Sequence, residues 1–204
     1  MPRTATLSRE MITAAALALV RRGGEESLSA RSLGRELGCS SSPIFTVYDS
    51  MESIREDVRR AASAVFADYV KDCSKYTPAF KEFGIRLVRF SREEYYLYKM
   101  LFLTTENTFE HFLGPAGDVM GALVHGYGLS DDQAMMLINM VWTYTCGLAT
   151  LCHFGAQNLT EQEISDRLSQ QFIASIMLIK SGRSAAGVVP ERRSGPDVSM
   201  TIDI

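Results

Sequence analysis

Three consecutive hydroxyls, Ser40, Ser41 and Ser42, stand just before Pro43 in a chain of 204 residues. At the opening of a short helix they would set hydroxyl and free backbone N–H groups where phosphate oxygens can bind. Thr46, further along, can meet a base edge or a thymine methyl. Arg31 and Arg35 lie one helical turn apart upstream, and Arg3 and Arg9 could reach phosphates from an N-terminal arm. The chemistry these residues share is contact with a polyanion, not bond making. No Ser/His/Asp order, Gly-rich phosphate loop, H-E-x-x-H or paired-carboxylate motif is present, so no catalytic residue and no enzyme is expected. Cys39, Cys73, Cys146 and Cys152 form no C-x-x-C pair and no metal spacing with His111, His125 or His153. They read as reduced thiols in a cytoplasmic protein with no metal and no cofactor.

Charge is distributed in the same sense. The net charge is −3, yet residues 1–48 carry six Arg against four Glu, a net +2, which leaves −5 for the rest. Only the N-terminal part suits a polyanion. The 46% hydrophobic and 22% charged composition excludes a collagen-like or wholly disordered chain and fits a soluble domain. Residues 11–20 are apolar but followed by Arg21, Arg22, Gly23 and Gly24 with no small-residue cleavage site, so export is not expected.

The elements that must position these groups all read as helices. Ser8 caps a first helix, whose Ile12, Ala15, Ala16, Leu19 and Val20 share one face before Gly23-Gly24. Ser29 caps a second, with Leu28 and Leu33 as a hydrophobic staple and Gly38 as the left-handed residue that turns the chain. Ser40 caps a third, to Tyr48, with Pro43 in its first turn and Ile44 and Tyr48 facing inward. Two helices joined by a Gly turn make a helix-turn-helix, whose second helix enters the major groove. The same residues also fit a plain helical hairpin.

Ser50 caps a long helix with a ridge of Ile54, Val58, Ala61, Val65 and Tyr69. Thr77-Pro78 opens a helix expected to run to about Leu103, with Phe80, Phe83, Leu87 and Phe90 buried. Pro115 starts a shorter one. Ser130 starts a helix within a stretch, Gln133 to Thr160, that has no Asp, Glu, Lys or Arg. That length could span a bilayer, but the flanks Asp131, Asp132, Glu161 and Glu163 are acidic, so no membrane is expected. A helix apolar all round is one covered all round. Thr160 and Glu163 form a capping box before a ridge of Ile164, Leu168, Phe172, Ile176 and Ile179. One side of these two helices can pack on a second copy, as a four-helix homodimer interface. From Ser181 the composition shifts to Gly, Ser and Pro, and residues 181–204 read as a disordered tail.

Residues 8–58 resemble the DNA-binding domain of the TetR (tetracycline-repressor) family of bacterial transcriptional regulators. Ser29, Leu33, Leu37, Gly38, Ser40, Ile44 and Tyr48 fall on its pattern, and Glu52 and Ile54 on the start of its next helix. The resemblance implies an all-α chain. Residues 1–50 would be the helix-turn-helix domain, 51–75 a connecting helix, and 76–180 a helical effector-binding and dimerisation domain. It implies a homodimer on a palindromic operator in double-stranded DNA, acting as a repressor released by a small molecule. Ser29, Phe45 and Tyr48 join the candidate DNA contacts on this ground.

Three departures matter. Phe45 stands where the family commonly has a phosphate-binding tyrosine, Val47 near a common histidine and Met51 near a common lysine. Each lost phosphate contact lowers the log–log salt slope by about 0.9, so weaker and less salt-sensitive binding is expected. The stretch Trp142-x-x-x-Cys146-Gly147 resembles a Trp-x-x-x-His-Gly pattern of some members, with Cys146 in place of the histidine.

Residues 78–180 hold fourteen of the nineteen aromatics, interleaved with Met, a mixture that suits an adaptable cavity as well as a core. Since the family houses effectors in this region, Tyr95, Phe102, Phe109, Phe112, Met120, His125, Trp142 and Cys146 are the candidate contacts for a largely apolar effector. The competing reading is a dimeric helical ligand-binding or scaffold protein that has lost DNA binding.

Overall fold

The Ser8 side chain accepts the Met11 N–H at 3.2 Å and starts α1, Arg9–Gly23. The structure, a computed structural model, describes residues 7–76, 78–104 and 126–182. Helix α1 buries Ile12, Ala16, Leu19 and Val20, and Gly24 at φ +76° closes it by bonding its N–H to the Val20 carbonyl. Ser29 caps α2, Ala30–Glu36, through a reciprocal box with Ser32. Ser50 caps α3, Met51–Val70. Its buried line is Ile54, Val58, Ala62, Phe66 and Val70, not the expected ridge through Ala61, Val65 and Tyr69. A four-residue repeat winds around a helix of 3.6 residues per turn. The line therefore turns from α1, which α3 meets first, towards the helices that follow.

Two elements differ from expectation. The third helix, expected from Ser40 to Tyr48, is a 3-10 turn over Ile44–Thr46 with Pro43 at its N-cap. Ile44, Phe45 and Thr46 donate to the carbonyls three residues back, Ser41, Ser42 and Pro43, at 3.1–3.3 Å. Pro43 brings no N–H, and the Thr46 hydroxyl donates to the Pro43 carbonyl at 2.7 Å, which favours the tighter turn. The helix expected from Thr77 to Leu103 is two: α4, Ala79–Glu93, and α5, Tyr95–Phe102, broken at Glu94 (φ −126°, ψ 48°). The break places the Glu94 carboxylate on the Arg21 guanidinium through two bonds of 2.8 and 3.0 Å, tying α5 to α1.

The chain closes with α6, Asp131–His153, and α7, Glu161–Ser181, each opened by a capping box, Ser130 with Gln133 and Thr160 with Glu163. Both pack on α4 and on each other. Helix α6 is long and apolar enough to cross a membrane by length and composition alone. Among the described residues, Ala134, Leu137, Ile138 and Val141 of this helix are buried, while Met136, Leu151 and the following Phe154 are exposed. Among the described residues there is no strand, and the fold is all-α. The helix expected from Pro115, apart from its end, and the tail beyond 182 lie outside the described residues.

Candidate nucleic-acid interface and effector cavity

A glycine that the sequence reading passed over sets the geometry of the reading turn. Gly34 is buried in the middle of α2, and a Cβ there would lie 2.9 Å from the Cys39 carbonyl oxygen and 3.3 Å from the Ser40 carbonyl carbon. Only hydrogen lets the chain fold back this closely, and the Cys39 N–H then bonds to the Gly34 carbonyl at 2.9 Å. Gly38, at φ +69°, reverses the direction with nothing near its missing side chain. The signal was present: an isolated glycine inside a capped, apolar helix indicates close packing.

Beneath the turn, Leu33 and Ile44 are fully buried. Tyr48 is only 1% exposed, so its proposed contact with DNA is corrected to a supporting role. Its hydroxyl donates to Asp57 at 2.6 Å and lies 2.7 Å from the Thr13 hydroxyl, joining the turn to α1 and α3. Arg9 is likewise committed: its Nε donates to Asp57 at 2.6 Å and its guanidinium lies 4.5 Å from the Tyr48 ring centroid. Arg60 pairs with the same carboxylate. The Arg9 hydrogen bond, then that of Tyr48, holds the Asp57 carboxyl below the usual carboxylate range. Desolvation, then the Asp57 hydrogen bond, pushes the Tyr48 phenol up.

What remains at the surface is a small set. Ser29, Arg31, Arg35, Ser40, Ser42, Phe45 and Thr46 are exposed, and Ser41 is half-buried. Arg21 and Arg22 pair with Glu94 and Glu36, Arg59 with Glu25 and Glu52, and Arg55 donates to the Leu28 carbonyl. Among the described residues of α1 to α3, only Arg31 and Arg35 have guanidinium groups with no partner. The exposed Phe45 is apolar where the resemblance led to a phosphate donor. Arg3 lies outside the described residues.

The second site is a cavity of about 670 Å³ between α4, α6 and α7. Phe80 and Gly84 of α4, Thr145 of α6, and Leu168, Phe172 and Ile176 of α7 are among its walls. None of the candidate effector contacts that the structure describes lies there. Phe102 packs on Phe66 and Trp142, with ring centroids 4.9 and 5.3 Å apart, and Trp142 borders a void of about 10 Å³. Tyr95 stacks flat on His153 at 3.6 Å. The Cys146 carbonyl accepts the Tyr98 hydroxyl at 3.1 Å. Burial pushes the Cys146 thiol up to about 12 and the Cys73 thiol to about 11, so neither is a nucleophile at neutral pH. These aromatics fill the core because they meet one another. Phe109, Phe112, Met120 and His125 lie outside the described residues. Leu168, Phe172 and Ile176 of the cavity wall lie on the expected α7 ridge, since a ridge facing a void and a ridge facing a neighbour have the same periodicity.

The chain is similar in structure to a TetR-family protein from Vibrio parahaemolyticus, described as a candidate transcriptional regulator. The TM-score is 0.60 over 81% of this chain and 97% of that one, at 15% sequence identity. No family model matches the sequence, and no curated protein matches it. The likeness therefore establishes the TetR-type fold of this chain.

Proposed function

We propose that the chain is a homodimeric, cytoplasmic DNA-binding transcriptional regulator, a repressor released by a small and largely apolar effector. The observation that carries this is the charge left free on α2. Every other described arginine of α1 to α3 is engaged, while Arg31 and Arg35 keep theirs beside the exposed Ser40, Ser42, Phe45 and Thr46. Arginines and hydroxyls on phosphates fix register, and Thr46 with Phe45 offers thymine methyls an apolar surface.

The partner copy is suggested by an uncovered apolar face. Met136, Leu151 and Phe154 of the α6 side are 43–65% exposed, and Ile173 and Met177 of α7, which also line the cavity, are 54% and 66% exposed. Pairing two such faces gives a four-helix interface. A two-fold axis there would set two reading turns on successive grooves of a palindrome.

Release would run through α4. A ligand that moves α4 moves Glu94 at its end, and Glu94 holds Arg21 at the end of α1. Lys99 of α5 adds a bond to Glu26 at 3.1 Å. The coupling equals the difference in ligand affinity between the DNA-competent and released forms. Footprinting with purified protein on DNA flanking its own gene tests the reading. Protection of a palindromic segment is the expected result, and no protection even at low salt would defeat it. The second reading, a dimer that has lost DNA binding, is favoured by the replacement of phosphate donors at Phe45, Val47 and Met51. Unchanged regulation in a variant carrying Arg31→Ala and Thr46→Ala would support it.

A further inference from the structure

We propose that the cavity between α4, α6 and α7 binds an amphiphilic organic acid, with Lys81 and Lys180 holding its anionic head and the aromatic wall its apolar body. This rests on the effector half of the reading above. At about 670 Å³ the space falls within the ~300–1,000 Å³ of small-molecule sites. Among the described residues, its lining includes two cations and no carboxylate. Lys81 sits in the first turn of α4, where the helix dipole disfavours a cation, and Lys180 in the last turn of α7. Neither ammonium pairs with a carboxylate among the described residues.

Two of the hydroxyls inside are already spent. The Thr145 hydroxyl donates to the Val141 carbonyl at 2.7 Å, and the Ser169 hydroxyl to the Ser165 carbonyl at 2.8 Å. The walls carry the rings of Phe80, Phe172 and Tyr127, whose centroids lie 5.9 and 5.3 Å apart in succession. A neutral hydrocarbon would leave both lysines to water and gain nothing from them. A sugar or peptide would bury polar groups against rings, at a cost of about 1–3 kcal/mol for each unmet group. An acid with one charged end and an apolar body meets both parts of the site.

Decanoate and decanol have the same ten-carbon body and differ at the head. Calorimetric titration of the full-length protein with each separates the contribution of the charge. The expected result is binding of decanoate at least tenfold tighter than decanol. In the Lys81→Met, Lys180→Met double variant, which keeps apolar stems, decanoate should weaken at least tenfold while decanol changes less than threefold. Equal affinities in the wild type, a preference that survives the double substitution, or no heat from either compound would overturn the proposal. Thermal melts of the double variant within a few degrees of wild type show that it has folded. Decanoate is then titrated into the protein–DNA complex as a separate readout. Lysine-dependent binding without release of DNA would keep the acid site and remove the effector-release reading. Release by other compounds, with no decanoate binding, would remove the acid site alone.

Discussion

Adding one methyl group to α2 should separate stability from recognition. In Gly34→Ala the new Cβ would lie 2.9 Å from the Cys39 carbonyl oxygen, 3.3 Å from the Ser40 carbonyl carbon and 3.4 Å from the Ser41 nitrogen. All three are backbone atoms, so no rotamer change relieves the contact and the chain carrying the three serines must move. Overpacking of this kind costs about 1–3 kcal/mol. Alanine returns about 1 kcal/mol of helix propensity to α2. The net loss of stability is therefore about 0–2 kcal/mol, a modest fall in melting temperature. Recognition should lose more, because phosphate and base contacts depend on tenths of an ångström. A tenfold loss of DNA affinity, equal to about 1.4 kcal/mol, is the least expected. Gly38→Ala is the comparison. It meets nothing within 4 Å but must adopt φ +69°, which costs about 1–2 kcal/mol of strain without pushing on the turn. Melting curves and fluorescence anisotropy on a duplex selected by the wild type measure both. A Gly34→Ala protein that binds the duplex as tightly as wild type would refute the close-approach argument.

Three other perturbations follow from the same contacts. Arg31→Ala and Arg35→Ala should each lower the log–log salt slope of DNA binding by about 0.9 and leave melting unchanged, and an unaltered slope would show that neither touches phosphate. Asp57→Asn should destabilise by about 1–3 kcal/mol at pH 7, because Arg9 and Tyr48 lose a charged acceptor. With the Asp57 pKa lowered in the folded protein, that contribution is fully present above the ordinary carboxylate value of about 3.9 and is lost as pH falls through the folded value. The gap between wild-type and variant midpoints should thus be flat from pH 7 to 5 and close below about pH 4, and a gap that stays constant to pH 2 would contradict the assignment. Met136→Asp with Leu151→Asp places charges on residues 50% and 43% exposed on the uncovered α6 face. It should convert a dimer to a folded monomer by sedimentation, whereas unchanged mass would remove this face from the interface.

Much of the fold is written in short-range chemistry. Ser8, Ser29, Ser50, Ser130 and Thr160 each cap the helix expected of them, since a capping side chain reaches only two or three residues along its own backbone. The reading turn was legible in place but not in form, because a proline start and a hydroxyl back-bond decide between 3-10 and α geometry within four residues. Arg9 and Tyr48 had the right types for phosphate contact. Their commitment to Asp57, 48 and 9 residues away, is a tertiary fact with no periodicity to reveal it. The cavity shows the same limit. Phe80, Leu168 and Phe172 were rightly placed on inward ridges, but where two ridges fail to meet depends on the packing of three helices at once. Counting aromatics selected Phe102 and Trp142, which close on each other instead.

The central claim is that two copies of this chain hold their α2 arginines and serine turns against adjacent grooves of a duplex. Selection of bound fragments from a random DNA pool by the purified protein tests it most directly. The account predicts a palindromic consensus with half-sites about one helical turn or slightly more apart, lost from the selection when Arg31 and Arg35 are both alanine. No enrichment at low salt, or an enriched sequence without two-fold symmetry, would contradict it.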